Sequence, residues 1–317
     1  MRSYSLLAPA KINLYLEILG DRPDGYHELV MILQSIELAD QIDLHGISTD
    51  TIRIHCDHPQ VPQDESNLAY RAAELMTKVF PDVFARLGGV EITIKKRIPV
   101  AAGLAGGSTD AAAVLVGVDM MWQLGLTQPE LQDLAAQLGS DVPFCLAGGT
   151  ALATGRGEQL SSLSGLDSLY VVLAKDRSLM ISTPWAYQAY RAEFGHSYVR
   201  DAKSLESRTA NVHSGPMVKA ILHKDGSQIG QLLHNDLEKV VLPTTPQVLQ
   251  LREAFEKSGA LGTMMSGSGP TVFALCESEA HAHEIQQKVR EIISAPDVEF
   301  WVTRLSNRGI QVVSPVS

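Results

Sequence analysis

Apolar residues recur along this chain with two periodicities, one typical of strands and the other typical of helices. In residues 90–95 apolar and polar side chains alternate, which predicts a strand with one buried face. In residues 279–293 the apolar side chains follow helical spacing, which predicts an amphipathic helix. Further strands are predicted at residues 3–8, 12–19, 42–44, 51–54, 150–154, 169–174, 271–276 and 298–305. Further helices are predicted at residues 67–80, 111–124, 127–139, after 182, and in parts of 235–258.

Prolines and capping residues set the expected limits of these elements. Pro9 divides the first two strands, because proline cannot donate to a strand ladder. Ser66, Thr127 and Ser182 each precede a helical pattern and can cap it through their hydroxyls. Residues 195–216 are polar and their apolar positions show no regular spacing, so we expect an irregular loop there.

The order of the elements indicates the fold class. Helices alternate with strands, and neighbouring strands look paired, which favours an α+β or mixed α/β chain of two units. Residues 161–168 are rich in Ser and Gly and are typical of a boundary. We therefore expect domains at residues 1–165 and 166–317.

A glycine-rich stretch, residues 99–113 (PVAAGLAGGSTDAAA), lies between a predicted strand and a predicted helix. Gly103, Gly106 and Gly107 remove side chains where a ligand could approach the backbone, and the residues that follow, Ser108, Thr109 and Asp110, can cap the helix. Unpaired N–H groups and the helix dipole then favour an anion, and a polyphosphate is our first hypothesis. The alternative is a small-residue loop that lets the helix pack closely on the sheet.

Composition narrows the possible partners. The chain has 317 residues, of which 45% are hydrophobic, as in an ordinary globular protein. Its net charge is -10, from 26 basic and 36 acidic residues, which argues against nucleic acid as a partner. An anionic small substrate is still possible where basic residues gather locally.

The cysteines and the hydropathy indicate a compartment. Cys56, Cys145 and Cys276 are scattered without zinc-type spacing, which fits a reducing environment. The N-terminal apolar run is broken by Pro9 and Lys11 before a signal segment is complete. No apolar run approaches the ~20 residues that cross a bilayer, so we expect a cytoplasmic protein with no membrane partner.

Three well-known motifs are missing, and their absence constrains the chemistry. No lysine follows the glycines in Walker spacing, and no strand leads into a dinucleotide-binding fingerprint. The zinc-protease pattern is absent too. The glycine stretch therefore belongs to another class of phosphate site.

Three ordered motifs together resemble the GHMP kinases, a family that includes galactokinase, homoserine kinase and mevalonate kinase. The glycine stretch is similar to the family's ATP-binding motif, residues 8–14 (APAKINL) resemble its first motif, and residues 266–273 (SGSGPTVF) resemble its third. The resemblance implies an N-terminal ribosomal-protein-S5-domain-2-like ATP-binding domain and a C-terminal ferredoxin-like α/β-sandwich domain. The active site is then expected in the cleft between them.

The resemblance also implies two catalytic residues. Asp141 takes or accepts the proton of the substrate hydroxyl, and Lys11 lies beside it, keeps it ionised and stabilises the transferring phosphoryl group. Taken without the family pattern, Asp141 is as readily a turn or helix cap, and Lys11 a solvated surface lysine.

Two further segments resemble one branch of the family, which acts on 4-diphosphocytidyl-2-C-methyl-D-erythritol. They are residues 22–28 (RPDGYHE) and 139–144 (GSDVPF). The resemblance implies ATP-dependent phosphorylation of the 2-hydroxyl of this substrate in the non-mevalonate route to isoprenoid precursors. The implied substrate-binding residues are Asn13, Tyr26, His27 and Tyr187, with Trp185 as the alternative aromatic that stacks on cytosine.

The implied cofactors are ATP, as co-substrate, and Mg²⁺, whose protein ligands the sequence leaves unknown. Ala101, Ala102 and Ala105 stand where some members carry glycine, and all three are small enough for close backbone approach. Asn67 is a candidate ATP contact or a simple helix cap. The implied ATP-binding residues are Asn67, Pro99, Val100, Ala101, Ala102, Gly103, Leu104, Ala105, Gly106, Gly107, Ser108 and Thr109.

Two other functions are kept open. One is another GHMP kinase, of homoserine or mevalonate type, which the segment at residues 22–28 disfavours. The other is a non-catalytic nucleotide-binding protein on the same fold. The turn at residues 266–269 either supports the substrate side or is purely structural. We expect a monomer or weak homodimer.

Overall fold

The computed structural model describes residues 2–313. Over this range the chain forms twelve strands and twelve helices, with a short 3-10 turn at Gly195–Ser197. The strands are β1 (Ser3–Asp21), β2 (His27–Ile47), β3 (Ile52–Cys56), β4 (Gly89–Lys95), β5 (Thr150–Gly155), β6 (Gln159–Ser162), β7 (Tyr170–Asp176), β8 (His234–Asn235), β9 (Gly262–Met265), β10 (Val272–Cys276), β11 (Val298–Ser306) and β12 (Gln311–Val313). The helices are α1 (Leu68–Val79), α2 (Pro81–Leu87), α3 (Gly106–Trp122), α4 (Gln128–Leu138), α5 (Val142–Ala147), α6 (Thr183–Phe194), α7 (Ala202–His213), α8 (Pro216–Leu222), α9 (Gly226–Gln231), α10 (Glu238–Thr244), α11 (Pro246–Lys257) and α12 (Glu279–Ile292).

β1 is one long strand, and the prediction of two short strands around Pro9 is wrong. The ladder between β1 and β2 shifts register between Pro9 and Lys11. The backbone N–H of Lys11 donates instead to the carbonyl of Leu104, at 3.2 Å. A local irregularity of this kind lets a strand accommodate a proline, which has no N–H for the ladder. It also brings Lys11 next to the glycine stretch.

β2 is the strand that joins the two halves of the sheet. It pairs antiparallel with β1, β4, β5 and β11 at different parts of its length. Across the described residues the main strand order is β12-β1-β2-β11-β7-β10-β9. Helices therefore pack on a continuous mixed sheet, which confirms the α+β class. The domain boundary near residues 161–168 stays a prediction, and β6 occupies its first part.

α3 is the central helix of the N-terminal half. It packs against β1, α1 and α5, so most of its surface is buried and apolar. Gly117 permits this close packing, because an added Cβ there would lie 2.1 Å from Cδ1 of Leu44. The fully buried leucines and isoleucines in this core contribute about 1.5–3 kcal/mol each.

Two predicted helix starts are wrong. α3 begins at Gly106 and not at residue 111, so Ser108, Thr109 and Asp110 lie inside the helix and do not cap it. Its N-cap is Ala105, whose backbone is left-handed at φ 59°. α1 is capped by Asn67, which accepts from the N–H of Ala69, and not by Ser66.

The C-terminal half contains more helix than its sequence pattern predicts. Residues 202–213, expected to be irregular, form α7, none of whose side chains is buried. Its contacts with the core come from the half-buried Leu205 and Val212, and two apolar residues seven positions apart are too few for the sequence pattern to indicate a helix. The predicted caps at Ser182 and Thr127, the strand at β4 and the helix at α12 are confirmed. Within residues 2–313 no helix is both long and apolar enough to span a membrane.

Candidate active site

One cavity of about 720 Å³ lies where both glycine-rich turns meet the hairpin between β1 and β2. Its walls come from β1, the hairpin turn, the segment before α1, the glycine stretch, and the starts of α5 and α6. The predicted site residues that line it are Lys11, Asn13, Tyr26, His27, Asn67, Pro99, Val100, Ala101, Ala102, Gly103, Ala105, Gly106, Gly107, Ser108, Asp141 and Tyr187. Leu104 and Thr109 do not line it, and their side chains are almost fully buried.

Lys11 and Asp141 meet inside this cavity. Lys11 Nζ lies 3.8 Å from Asp141 Oδ2, and it donates to Asn13 Oδ1 at 2.8 Å and to the carbonyl of Gly103 at 3.2 Å. The lysine side chain is only 5% exposed, whereas that of Asp141 is 33% exposed. Asp141 sits at the start of α5 but makes no side-chain capping bond. Its carboxylate is therefore available to a molecule in the cavity.

The glycine stretch turns sharply before it becomes α3. Ala101, Gly103 and Ala105 all have left-handed backbones, with φ of 51°, 74° and 59°. Positive-φ residues at every second position of a turn can aim successive N–H groups toward one side, which makes a concave site for anions. The N-terminus of α3 then faces the same cavity and adds its dipole.

The second glycine-rich turn packs directly on the first. Ser266 Oγ donates to the carbonyl of Gly103 at 3.1 Å. A Cβ on Gly103 would lie 2.2 Å from the carbonyl oxygen of Ser266, so no side chain fits there. Gly267 and Ser268 line the cavity, and the Ser268 hydroxyl lies 2.8 Å from that of Thr183. The turn thus forms part of the cavity wall.

Aromatic rings gather at the hairpin end of the cavity. The rings of His27 and Tyr187 lie 5.0 Å apart, and Tyr26 is 51% exposed under the guanidinium of Arg156. Tyr187 lines the cavity, whereas Trp185 is 40% exposed and lies outside its lining. Burial lowers the pKa of His27, so its imidazole is neutral near neutral pH.

Asn67 uses both ends of its amide within the protein. Its Oδ1 accepts from the N–H of Ala69, and its Nδ2 donates to the carbonyl of Pro62 at 2.7 Å. The capping role is therefore observed. Asn67 also borders the cavity, so its contact with a nucleotide stays a prediction.

Sequence reasoning missed a buried ionic cluster beside the glycine stretch. Lys96 Nζ donates to Asp40 Oδ2 and to Asp110 Oδ2, and all three side chains are at most 5% exposed. Asp40 Oδ1 also accepts from the N–H groups of Arg97 and Ile98. The signal was weak, because Lys96 directly follows an amphipathic strand, where a solvated lysine is ordinary.

Sequence reasoning also missed Asn235, which holds the second glycine-rich turn. Its Nδ2 donates to the carbonyls of Met265 and Gly267, both at 2.8 Å. In the sequence this residue looks like a helix cap, since Asp236 and Glu238 follow it before an apolar run. Only the structure brings it to the turn.

Metal binding by protein groups alone is not supported. Within the described part of the chain, no three His, Cys, Asp or Glu side chains are grouped so that they could hold a metal ion. Asp110 is engaged with Lys96, which leaves Asp141 as the exposed carboxylate next to the glycine stretch.

Comparison with known families matches both halves of the chain. Residues 67–149 match the model described as the GHMP kinases N-terminal domain, and residues 217–295 match that described as GHMP kinases C-terminal. A crystal structure of a 4-(cytidine 5'-diphospho)-2C-methyl-D-erythritol kinase is similar, with 32% identity and a TM-score of 0.72, over 95% of this chain and 98% of that one. A homoserine kinase from Cytophaga hutchinsonii, 20% identical, shares the fold with a TM-score of 0.76 over 99% and 98% of the two chains.

Full-length relatives are closer in sequence. The 4-diphosphocytidyl-2-C-methyl-D-erythritol kinase of Nostoc punctiforme is 68% identical over 100% of both chains, and that of Trichormus variabilis is 67% identical over 99% of both. The fold and its cavity define a small-molecule kinase of the GHMP class, which uses ATP. Within that class the chain belongs to the family of the 4-diphosphocytidyl-2-C-methyl-D-erythritol kinases.

Proposed function

We propose that this chain transfers the γ-phosphoryl group of ATP to the 2-hydroxyl of 4-diphosphocytidyl-2-C-methyl-D-erythritol, giving the 2-phosphate and ADP. This is a step of the non-mevalonate route to isopentenyl diphosphate. The observation that carries the proposal is that Lys11, Asp141 and the glycine stretch open onto one cavity. The names of the full-length relatives support the choice of substrate.

ATP is proposed to bind with its phosphates along the glycine stretch. The left-handed residues there and the N-terminus of α3 present N–H groups to an anion. Ser108 supplies a hydroxyl on the same side. Because phosphoryl transfer depends mainly on positioning and charge stabilisation, a rigid cradle of this kind suits the reaction.

Lys11 and Asp141 are proposed to act on the acceptor hydroxyl. The ammonium of Lys11, 3.8 Å from Asp141 Oδ2, faces the incoming phosphoryl charge and helps to stabilise it. Asp141 then accepts the hydroxyl proton as the bond to phosphorus forms. A loose transition state needs this proton only late, so Asp141 contributes by orienting the hydroxyl as well as by accepting its proton.

The acceptor is proposed to lie at the hairpin end of the cavity. Tyr26 and Tyr187 offer aromatic faces for a pyrimidine, and His27 offers a ring nitrogen for its edge. Asn13 contacts the polar groups of the methylerythritol unit. Its Oδ1 is already held by Lys11, which fixes the orientation of its amide.

Mg²⁺ is proposed to arrive with ATP. The protein has no three-carboxylate cage among its described residues, and magnesium commonly binds through phosphate oxygens, water and one or two carboxylates. The Ser108 hydroxyl, on the glycine stretch, is the protein group that would help to hold it. When bound, the ion neutralises phosphate charge.

The chain is also proposed to act in the cytoplasm as a monomer or weak homodimer. Cys56, Cys145 and Cys276 are unpaired thiols, as expected in a reducing compartment. All the walls described for the cavity come from a single chain, which supports a site that needs no second subunit.

The direct test is ADP release by the purified protein with ATP, Mg²⁺ and the diphosphocytidyl substrate. We expect turnover with this acceptor and none with homoserine or mevalonate. Turnover with homoserine or mevalonate alone would contradict the proposal. ATP binding without turnover of any acceptor would favour a non-catalytic nucleotide-binding protein.

Variants at the central pair test the assigned roles. We expect Asp141→Asn and Lys11→Ala each to lower kcat by about 100-fold or more, with much smaller changes in KM. Lys78→Ala and Asp133→Asn remove exposed charges on α1 and α4 and are matched controls that retain activity. Near-normal turnover in folded Asp141→Asn would remove this residue from the mechanism.

A further inference from the structure

The hairpin that carries His27 places an acidic residue directly opposite it. β1 ends at Asp21 and β2 begins at His27, and these two residues are cross-strand partners. The turn between them is closed by the N–H of Arg22, which donates to the carbonyl of Tyr26 at 2.9 Å. A short closed turn holds the two side chains at a set separation.

Asp21 faces one particular nitrogen of the His27 ring. Its Oδ1 lies 3.6 Å from Nε2, and its Oδ2 accepts a charge-assisted contact from Arg191 Nε at 3.2 Å. His27 Nε2 is buried and makes no hydrogen bond to another described residue. The carboxylate is therefore held in place by α6 while one oxygen points at a buried imidazole nitrogen.

The ring of His27 has little freedom to turn over. Tyr187 lies against it with centroids 5.0 Å apart, and Tyr198 meets it edge-on at 6.2 Å. With Nε2 facing Asp21 on the inside, Nδ1 is the ring nitrogen left for the cavity, whose lining includes His27. The packing thus gives the two ring nitrogens different surroundings: Nε2 faces Asp21, and Nδ1 is left for the cavity.

A carboxylate can only accept, so it selects the proton's position on a neutral imidazole. A carboxylate opposite Nε2 favours the tautomer with the N–H on Nε2, which leaves the lone pair on Nδ1. The 3.6 Å separation is longer than a hydrogen bond, and polar contacts of this kind at a binding site commonly tighten when the substrate binds. Oriented partners of this kind fix the tautomer of histidines at binding sites.

We infer that Asp21 is a positioning residue that fixes His27 as the Nε2–H tautomer, so that Nδ1 accepts from the amino group of cytosine and rejects uracil. The inference deepens the proposed function and rests on it for the identity of the base. Cytosine carries an amino donor where uracil carries a carbonyl acceptor. An acceptor at Nδ1 distinguishes the two, and a donor there would prefer uracil.

The tautomer can be measured in the protein without substrate. Imidazole nitrogen chemical shifts from NMR distinguish protonated from unprotonated Nε2 and Nδ1. In the wild-type protein we expect His27 to carry its proton on Nε2. A proton on Nδ1 would overturn the inference, and this result needs neither a variant nor a known substrate.

Asp21→Asn tests the consequence for specificity. The amide of asparagine can donate to Nε2, which moves the ring proton to Nδ1. We expect the ratio of kcat/KM for the cytidine substrate to that for its uridine analogue to fall by about 10-fold or more, with most of the change in KM. Asp50→Asn removes an exposed carboxylate from the turn after β2 and is the matched control, with an unchanged ratio.

The role of Asp21 and the proposed kinase function are refuted by different results. An unchanged ratio in folded Asp21→Asn, with normal cytidine turnover, would overturn the role of Asp21 while leaving the proposed kinase function intact. Absence of wild-type turnover with either nucleotide would instead refute the proposed function. The NMR measurement would still decide the tautomer.

Discussion

At the scale of single residues, the ammonium of Lys96 donates to two buried carboxyl groups, those of Asp40 and Asp110. Burial and the nearby Asp40 raise the pKa of Asp110 to about 8, although Lys96 opposes the shift. Asp110 Oδ1 has no partner in the described chain, whereas Asp40 receives two backbone N–H groups in addition to Lys96. Asp40 therefore has more hydrogen-bond donors around its carboxylate than Asp110 has.

This difference predicts unequal costs of substitution. We expect Asp40→Asn to lower the free energy of unfolding by about 2 kcal/mol or more, because hydrogen bonds to a charged acceptor are lost. We expect Asp110→Asn to cost less than about 1 kcal/mol near pH 7, since a neutral amide replaces a largely protonated carboxyl. Urea unfolding of both variants measures this. Equal costs would contradict the expected difference between the two carboxyl groups.

The raised pKa of Asp110 also has a pH signature. The folded state binds this proton more tightly than the unfolded state does, so the resulting stability is fully present below about pH 4. It is lost as pH rises through about 8, the folded pKa. Asp110→Asn is expected to remove this part of the pH dependence. A slope unchanged by the substitution would show that other groups cause it.

At the scale of elements, α3 is flanked at both ends by left-handed residues that are not glycine, Ala105 and Gln123. Gln123 follows its last residue with φ 56°, and its N–H donates to the carbonyls of Asp119 and Met120. The side chain is exposed, so it contributes little packing. Glycine is the usual residue at such a helix end, because it has no Cβ to strain this conformation.

Replacing this residue is expected to stabilise the protein. Gln123→Gly should raise the free energy of unfolding by about 1 kcal/mol through relief of the left-handed strain. Gln123→Ala keeps a Cβ and serves as the control, for which we expect no gain. Thermal unfolding compares the two. A loss of stability in Gln123→Gly would mean that the strain is already compensated elsewhere.

Element limits near the site depended on tertiary contacts. The alternation in β4 and the spacing in α12 were enough to predict those elements, because each has one buried and one exposed face. The merger of residues 3–8 and 12–19 into β1 could not be predicted. It requires β2 to shift register at Pro9 and the carbonyl of Leu104 to accept from Lys11.

At the scale of the whole molecule, Asp236 links the two halves of the chain. Its Oδ2 accepts from the N–H of Ile18 in β1, and its Oδ1 accepts from Lys239 in α10 and lies 3.1 Å from His234 Nε2. Burial alone would raise the pKa of Asp236, but these donors together lower it to about 2. Its ionised form therefore stabilises the native state.

The depressed pKa predicts acid sensitivity. The stabilisation is present above about pH 4 and is lost as pH falls through about 2, with a total of about 2 kcal/mol. Asp236→Asn is expected to be less stable at neutral pH and to lose this part of the acid slope. Asp133→Asn is the control and should keep it. An Asp236→Asn variant with the wild-type slope would contradict the assignment.

The sequence alone determined the family, the order of the motifs and the chemical types in the candidate site. These are local properties, since the glycines, the capping residues and the segment with Tyr26 and His27 are each contiguous in the chain. The pairing of Lys11 with Asp141, the support of the second glycine-rich turn by Asn235 and the position of Asp21 beside His27 were decided by the tertiary structure. The physical reason is that a side chain's partners depend on strand register and helix packing, which bring distant residues within a few ångströms and which no local pattern encodes.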